Sequence, residues 1–245
     1  MTTSTIGDSP RRREDARFVT GGGAYLDDLR VDRLAHAVVL RSPHAHALIT
    51  SIDTTAAASA PGVLAVLTAA DAEADGLTPL RPYVEANVLT GERFTFALQP
   101  LLATGKVRFA GEPVALIVAE THAEALDAAE LVTVDYTPLA AVTTADAARA
   151  AGAPTLSAEV PGNVCVDWRT GDAPGADKAF AQAAHVVSLQ LDNHRIVMNP
   201  MEPRGGVGSF DPASGRYTLH VSSQNIHNNR NHVARTLGVE AKDVR

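Results

Sequence analysis

Arg195–Asn225, RIVMNPMEPRGGVGSFDPASGRYTLHVSSQN, is the stretch on which the reading of the whole chain depends. Its first half, Asn199-Pro200-Met201-Glu202-Pro203-Arg204, sets a carboxylate and a guanidinium around two prolines and runs into Gly205-Gly206. Proline fixes its own φ and restricts the residue before it, so Met201 and the two charged side chains stand on stiff, extended backbone and not on a helix. Such backbone suits a wall that holds a polar group at one position. In the second half, Arg216-Tyr217-Thr218-Leu219-His220-Val221 alternates as a half-buried strand does. That strand gives way to Ser222-Ser223-Gln224-Asn225, a polar cluster at the point where a helical pattern begins. Polar side chains at the carboxyl end of a strand, directly before a helix, are well placed to hydrogen-bond a ligand.

Working outward, 245 residues suffice for one or two domains with real cores. A 45% hydrophobic and 20% charged composition is that of an ordinary soluble protein, with alanine supplying much of the apolar total. A net charge of −7 and a pI near 5.7 argue against a general nucleic-acid surface, which needs basic stripes. The single cysteine, Cys165, excludes an intrachain disulfide framework and a cysteine-ligated zinc or iron–sulfur site made by this chain alone. Arg11-Arg12-Arg13 evokes a twin-arginine export signal, but an acidic residue follows at once and no apolar core segment appears. No apolar run is long enough to span a bilayer, so a cytoplasmic location is the expectation.

MEPRGGVGSFD (201–211), YTLHVSSQN (217–225) and NHVARTLGV (231–239) together resemble the molybdenum-binding large subunit of the xanthine dehydrogenase and aldehyde oxidase family. The spelling is closest to the bacterial branch that includes aerobic carbon monoxide dehydrogenase. In that family the glutamine of the "QN" stretch reaches an oxo ligand of the molybdenum, and Gln224 is the matching position. The resemblance therefore implies cofactor contact for Gln224 and its neighbour Asn225, and bracing behind the cofactor for Glu202 and Arg204. An internal ion pair of purely architectural value is the other reading of those two charges. Molybdenum-molybdopterin is the implied cofactor. The electron chain of the family, two [2Fe–2S] clusters and FAD, would sit on partner chains: an iron–sulfur small subunit and an FAD medium subunit.

Several motifs invite a chemical reading and lose to a plainer one. Gly21-Gly22-Gly23 lacks the spacing of a dinucleotide fingerprint and reads as an entry turn before Tyr25-Leu26-Asp27-Asp28, a segment to which the family gives no catalytic contact. His44 and His46 could share a metal from one face of a strand, but no further ligand cluster lies nearby, and the family spells RSPHAHA as a hairpin between strands at 34–42 and 47–52. Gly111-Glu112-Pro113 resembles the Gly-Glu of the family's catalytic base, which belongs far towards the carboxyl end of the full subunit. Glu112 therefore reads as a structural turn residue. Cys165, in an alternating segment over 163–167, reads as a small buried hydrophobe. Gly205-Gly206-Val207-Gly208 reads as a bend where backbones approach, not as a nucleotide loop. His227 and His232 are five apart and diverge on a helix, and Asn228-Asn229-Arg230-Asn231 reads as a solvated or subunit-facing surface.

The remaining pattern places helices at 54–60, 121–130, 144–150, 172–184 and 225–237, with Thr121 and Glu124 as a capping box and Gly238 as a stop. Strands are expected at 63–67, 107–109, 114–118, 131–136 and 185–191, the unit around 113–136 reading as βαβ-like. A strand pattern opens again at Val244. The expected fold is α+β: a flexible N-terminus (1–16), an α/β hammerhead domain (17–137), a linker (138–161), and the first part of a molybdopterin-binding domain (162–245). The implied reaction is oxidative hydroxylation of a carbon centre with water as the oxygen source. No residue of this stretch is expected to be the catalytic base, and the downstream large-subunit portion would complete the site. The alternative is a non-catalytic scaffold that binds sister subunits without cofactor. A hydrolase is disfavoured by the lack of a G-x-S-x-G elbow.

Overall fold

The computed structural model describes residues 6, 7, 9, 12–193 and 196–245. Most of the N-terminal stretch expected to be loose, and the His194-Arg195 step into the MEPR segment, lie outside the described residues. In chain order the elements are α1 (Asp15–Val19), β1 (His36–Arg41), β2 (Ala47–Asp53), α2 (Thr55–Ala58), β3 (Val63–Leu67), α3 (Ala69–Ala74), β4 (Lys106–Val107), β5 (Pro113–Ala119), α4 (His122–Glu130), β6 (Thr133–Pro138), α5 (Ala145–Arg149), α6 (Ala173–Gln182), β7 (Gly206–Asp211), β8 (Arg216–Val221) and α7 (Ile226–Leu237). Helix and strand mix throughout, as an α+β chain requires.

Two three-stranded antiparallel sheets, β1-β5-β3 and β4-β2-β6, build the first half. β5 links their cores. Its Ala115, Ile117 and Ala119 join Ala57, Ala125, Ala128 and Val132 in one cluster, while Val114 joins Ala47, Ala103 and Val107 in the other. The preponderance of alanine lets α4 lie close on β5, with Ile117 the largest fully buried side chain of the cluster they share. α4 begins where the capping box places it: Glu124 N–H donates to Thr121 Oγ1 at 3.2 Å and Thr121 N–H to Glu124 Oε2 at 3.0 Å.

Gly62, just before β3, sits at φ +72°, and a Cβ there would come within 2.2 Å of the Glu124 carboxyl carbon. Gly62→Ala therefore combines left-handed strain with displacement of a capping carboxylate, and should cost about 2 kcal/mol in urea unfolding. A loss below about 0.5 kcal/mol, the range of neutral surface changes, would contradict this close approach.

The sheet assignments correct two expectations. β1 and β2 do not form a hairpin across RSPHAHA, because β1 pairs with β5 and β2 with β4 and β6. β5, α4 and β6 are not a βαβ unit either, since the two strands belong to different sheets. Local sequence reports the elements, whereas pairing is decided by long-range burial.

The stretch at 138–161 carries the short helix α5 and local hydrogen bonds. Asn163, at φ +57°, holds it by accepting from Leu156 N–H (3.0 Å) and donating to the carbonyls of Ala148 (2.9 Å) and Pro154 (3.0 Å). The strand expected at 163–167 is absent and Cys165 is exposed in coil. The strand expected at 185–191 is likewise coil, with Val187 91% and Leu189 78% exposed. Alternation buries a face only when a neighbouring strand receives it, and among the described residues none lies beside this segment. The expected bend at Gly205–Gly208 is instead the start of β7, which pairs with β8 from Gly206↔Val221 to Asp211↔Arg216.

Candidate functional site

The βα junction after β8 is built by short-range polar bonds. Ser223 Oγ accepts from Asn225 N–H at 3.2 Å and from the Asn229 side-chain amide. Asn225 Oδ1 accepts from Asn228 N–H at 3.3 Å and so serves as the N-cap of α7. Gly238 ends that helix at φ +69°. The chain then returns through the single turn Ala241–Asp243 and runs parallel to β8. Arg245 N–H donates to the Tyr217 carbonyl (2.9 Å), Leu219 N–H donates to the Arg245 carbonyl (2.8 Å), and Val244 is buried. A strand, a helix and a returning parallel segment thus bracket Gln224, at the carboxyl end of one strand and the amino end of a helix. Open α/β arrangements receive ligands at that position.

Gln224 is exposed and lines neither of the clefts described below. Among the described residues its amide makes no hydrogen bond, while Ser223, Asn225 and Asn229 around it are all engaged. Asn225 has its oxygen committed to the cap of α7.

Glu202 is half-buried, and its Oε1 accepts from Leu26 N–H at 3.1 Å. This bond straps the single turn Leu26–Asp28, itself closed by Tyr25 N–H donating to Asp28 Oδ2 at 2.8 Å, against the MEPR segment. A cleft opens on each side of the strap. One, about 290 Å³, runs between Tyr25–Asp28 and Met201–Gly205. The other, about 370 Å³, is walled by Ala24–Leu26, Leu29, Glu202 and the β8 end from Leu219 to Ser222. Glu202 therefore lies between the proline-stiffened wall and the strand that leads to Gln224. Arg204 is exposed on the first cleft, and no ion pair joins it to Glu202 among the described residues. The architectural salt bridge that the sequence allowed is absent.

Tyr25–Asp28 is the part of the site that sequence reasoning missed. The only local signal was an aspartate three residues after Tyr25, the spacing of a capping contact.

The other candidates take structural places. His46 is buried, with Nδ1 2.6 Å from the Ala140 carbonyl, and the His44 ring lies 4.8 Å from that of Tyr136. No group of three or more potential metal ligands occurs among the described residues. Glu112 is 2% exposed, accepts from Arg108 N–H and lies 3.6 Å from Arg108 Nη1, which makes it the anchor of its own turn.

Residues 20–140 match the aldehyde oxidase and xanthine dehydrogenase a/b hammerhead domain, and residues 156–245 match the molybdopterin cofactor-binding domain. The chain belongs to the xanthine dehydrogenase and aldehyde oxidase family. It is 41% identical over 230 residues to the nicotine 6-hydroxylase large subunit of Paenarthrobacter nicotinovorans, covering 93% of this chain and 27% of that protein. It is 36% identical over 234 residues to the carbon monoxide dehydrogenase large chain of Afipia carboxidovorans, covering 91% and 28%. The solved structure of quinoline 2-oxidoreductase from Pseudomonas putida 86 superposes with a TM-score of 0.82 at 36% identity, covering 99% of this chain and 30% of that one. The chain thus spans under a third of the length of these molybdenum-family relatives, matching a hammerhead domain followed by a molybdopterin-binding domain. No helix among the described residues is long and apolar enough to cross a membrane.

Proposed function

We propose that this chain forms the hammerhead and the opening molybdopterin-binding segment of a molybdenum hydroxylase large subunit that acts in the cytoplasm. Its reaction class is oxidative hydroxylation of a carbon centre: an aldehyde, a nitrogen heterocycle or carbon monoxide. The observation that carries this reading is the match of residues 156–245 to the molybdopterin cofactor-binding domain, with Gln224 at the junction between the carboxyl end of β8 and the N-cap of α7. When bound, the molybdenum–molybdopterin group supplies the redox chemistry, with oxygen drawn from water and electrons passed to iron–sulfur and FAD partner chains. The chain's own residues hold and orient. Gln224 Nε2 would face the group as a hydrogen-bond donor, a role that depends on the donor being fixed beforehand by the turn around it. Asn225 keeps the helix start in register behind it. Glu202 secures the Leu26 turn against the wall beside β8, and Arg204 adds positive charge on the adjoining cleft.

Metal and pterin analysis of the purified protein, expressed with the remaining large-subunit polypeptide and with the partner chains, tests this reading. The expected result is about one molybdenum and one pterin per chain, since the whole site is then assembled. Stable assembly with those polypeptides but without molybdenum would overturn it in favour of a scaffold that binds sister subunits.

A further inference from the structure

The outer face of α7 carries a feature that the cofactor reading does not use. Asn228, Asn231, His232 and Arg235 follow an i, i+3, i+4, i+7 spacing, which sets them on one face of the helix. With Pro82 and Tyr83 from the long loop before β4, they enclose a cleft of about 170 Å³. The Tyr83 and His232 rings stand 5.8 Å apart and tilted. Thr78 fixes the same loop to the end of the helix, donating from N–H to the Thr236 carbonyl at 3.1 Å and from Oγ1 to the Arg235 carbonyl at 3.1 Å.

The lining supplies two carboxamides, an imidazole, a guanidinium and a phenol, and no carboxylate. Arg235 has no ion-pair partner among the described residues. Glu85, the acid nearest in sequence to Pro82 and Tyr83 on the loop, is met by Arg93 at 3.2 Å and Arg81 at 3.9 Å, so its charge does not compete for Arg235. A plainer role for Arg235 is to complement the helix dipole in the last turn. That role asks nothing of Asn228, Asn231 or Tyr83 and does not account for a walled space. The space is well below the 300 Å³ or so at which sites for larger organic ligands begin. It suits a compact group of a few heavy atoms that needs several donors at once.

We propose that this cleft binds a small oxyanion of the phosphate class. Arg235 would be its charged partner, Asn228, Asn231 and His232 its hydrogen-bond donors, and its effect would be to clamp the 78–83 loop onto α7. Guanidinium to phosphate is a charge-assisted pairing with the strength to select this class from a cleft lined by neutral amides. The inference does not depend on what Gln224 contacts.

The test is thermal unfolding of the intact protein in rising inorganic phosphate at constant ionic strength, with sodium acetate as the control. Glycerol phosphate forms a third arm, and the Arg235→Gln and Asn231→Asp variants run beside the native protein. Both substitutions fall on exposed positions, and the second keeps the side-chain shape while placing a carboxylate in the cleft. The expected result is a saturable rise in Tm with phosphate and not with acetate, and an apparent Kd weakened about tenfold or more in each variant. Tighter binding of glycerol phosphate than of phosphate would support the site and assign it to a phosphorylated molecule. The reverse order would support it and assign it to the free ion. No saturable rise in the native protein, an equal rise with acetate, or an undiminished rise in both variants would overturn the proposal.

Discussion

Ile117→Ala is expected to lower the unfolding free energy by about 4 kcal/mol, near the upper end of the range for deleting a large buried aliphatic chain. Ile117 is fully buried at the centre of β5 and faces Val38 of β1 and Val66 of β3 in register. Ala57, Ala115, Ala119, Ala125 and Ala128, which have no rotamer with which to fill a void, dominate its buried cluster, beside Val132 and the partly buried Leu40, Ile52, Val63 and Val134. A site that cannot relax retains most of the cavity, and the retained cavity is what raises the cost above simple transfer. Urea denaturation followed by far-ultraviolet circular dichroism measures it, with the m-value unchanged if the transition stays two-state. A loss of about 1 kcal/mol would mean that the sheets close on the gap and that this alanine-rich core is softer than its packing implies.

Gln224→Ala is expected to slow turnover by about a hundredfold, the scale seen when one preorganised donor to developing negative charge is removed. The proposed donor acts on charge that grows towards the transition state, so kcat should fall with KM little changed. Aldehyde, nitrogen heterocycle and carbon monoxide would be offered in turn to the molybdenum-loaded protein, with electron arrival at the partner chains as the readout. Molybdenum content should remain near that of the native protein, because a single amide contributes little to holding a group gripped elsewhere. Ser223→Ala provides the control. It removes the oxygen that accepts from Asn225 N–H and from the Asn229 amide while leaving the Gln224 side chain in place. Equal loss of rate in both variants would show that the turn matters and the Gln224 amide does not.

Much of the element list was readable because its causes are local. The Thr121–Glu124 box, the Thr144 cap of α5 and the left-handed stop at Gly238 each depend on contacts within a few residues. α3 was missed although Thr68 and Asp71 form a similar box. Asp71 does there what glutamate more often does, and its hydrogen bonds from Thr68 hold its pKa below the ordinary aspartate value. Pairing was not readable. Whether β1 meets β2 or β5 depends on which faces an alanine-lined core can receive, and a run such as His185–Leu191 alternates whether or not a neighbour is present. Cys165 failed for the same reason.

The site divides along the same line. The position of Gln224 between a strand and a helix follows from local pattern, and the resemblance supplied its role. The Glu202–Leu26 bond spans 176 residues and left no trace in either local segment. Asn163, which organises the stretch before it through three hydrogen bonds at positive φ, looked like an unremarkable polar residue after a glycine.

A crystal structure of the molybdenum-loaded large subunit with its partner chains tests the central claim most directly. The account predicts Gln224 Nε2 within about 3 Å of an oxygen on the cofactor, hydrogen-bond distance for an amide donor, with the Ser223–Asn225–Asn229 turn unchanged. A cofactor seated elsewhere, with the Gln224 side chain still directed into water, would contradict it.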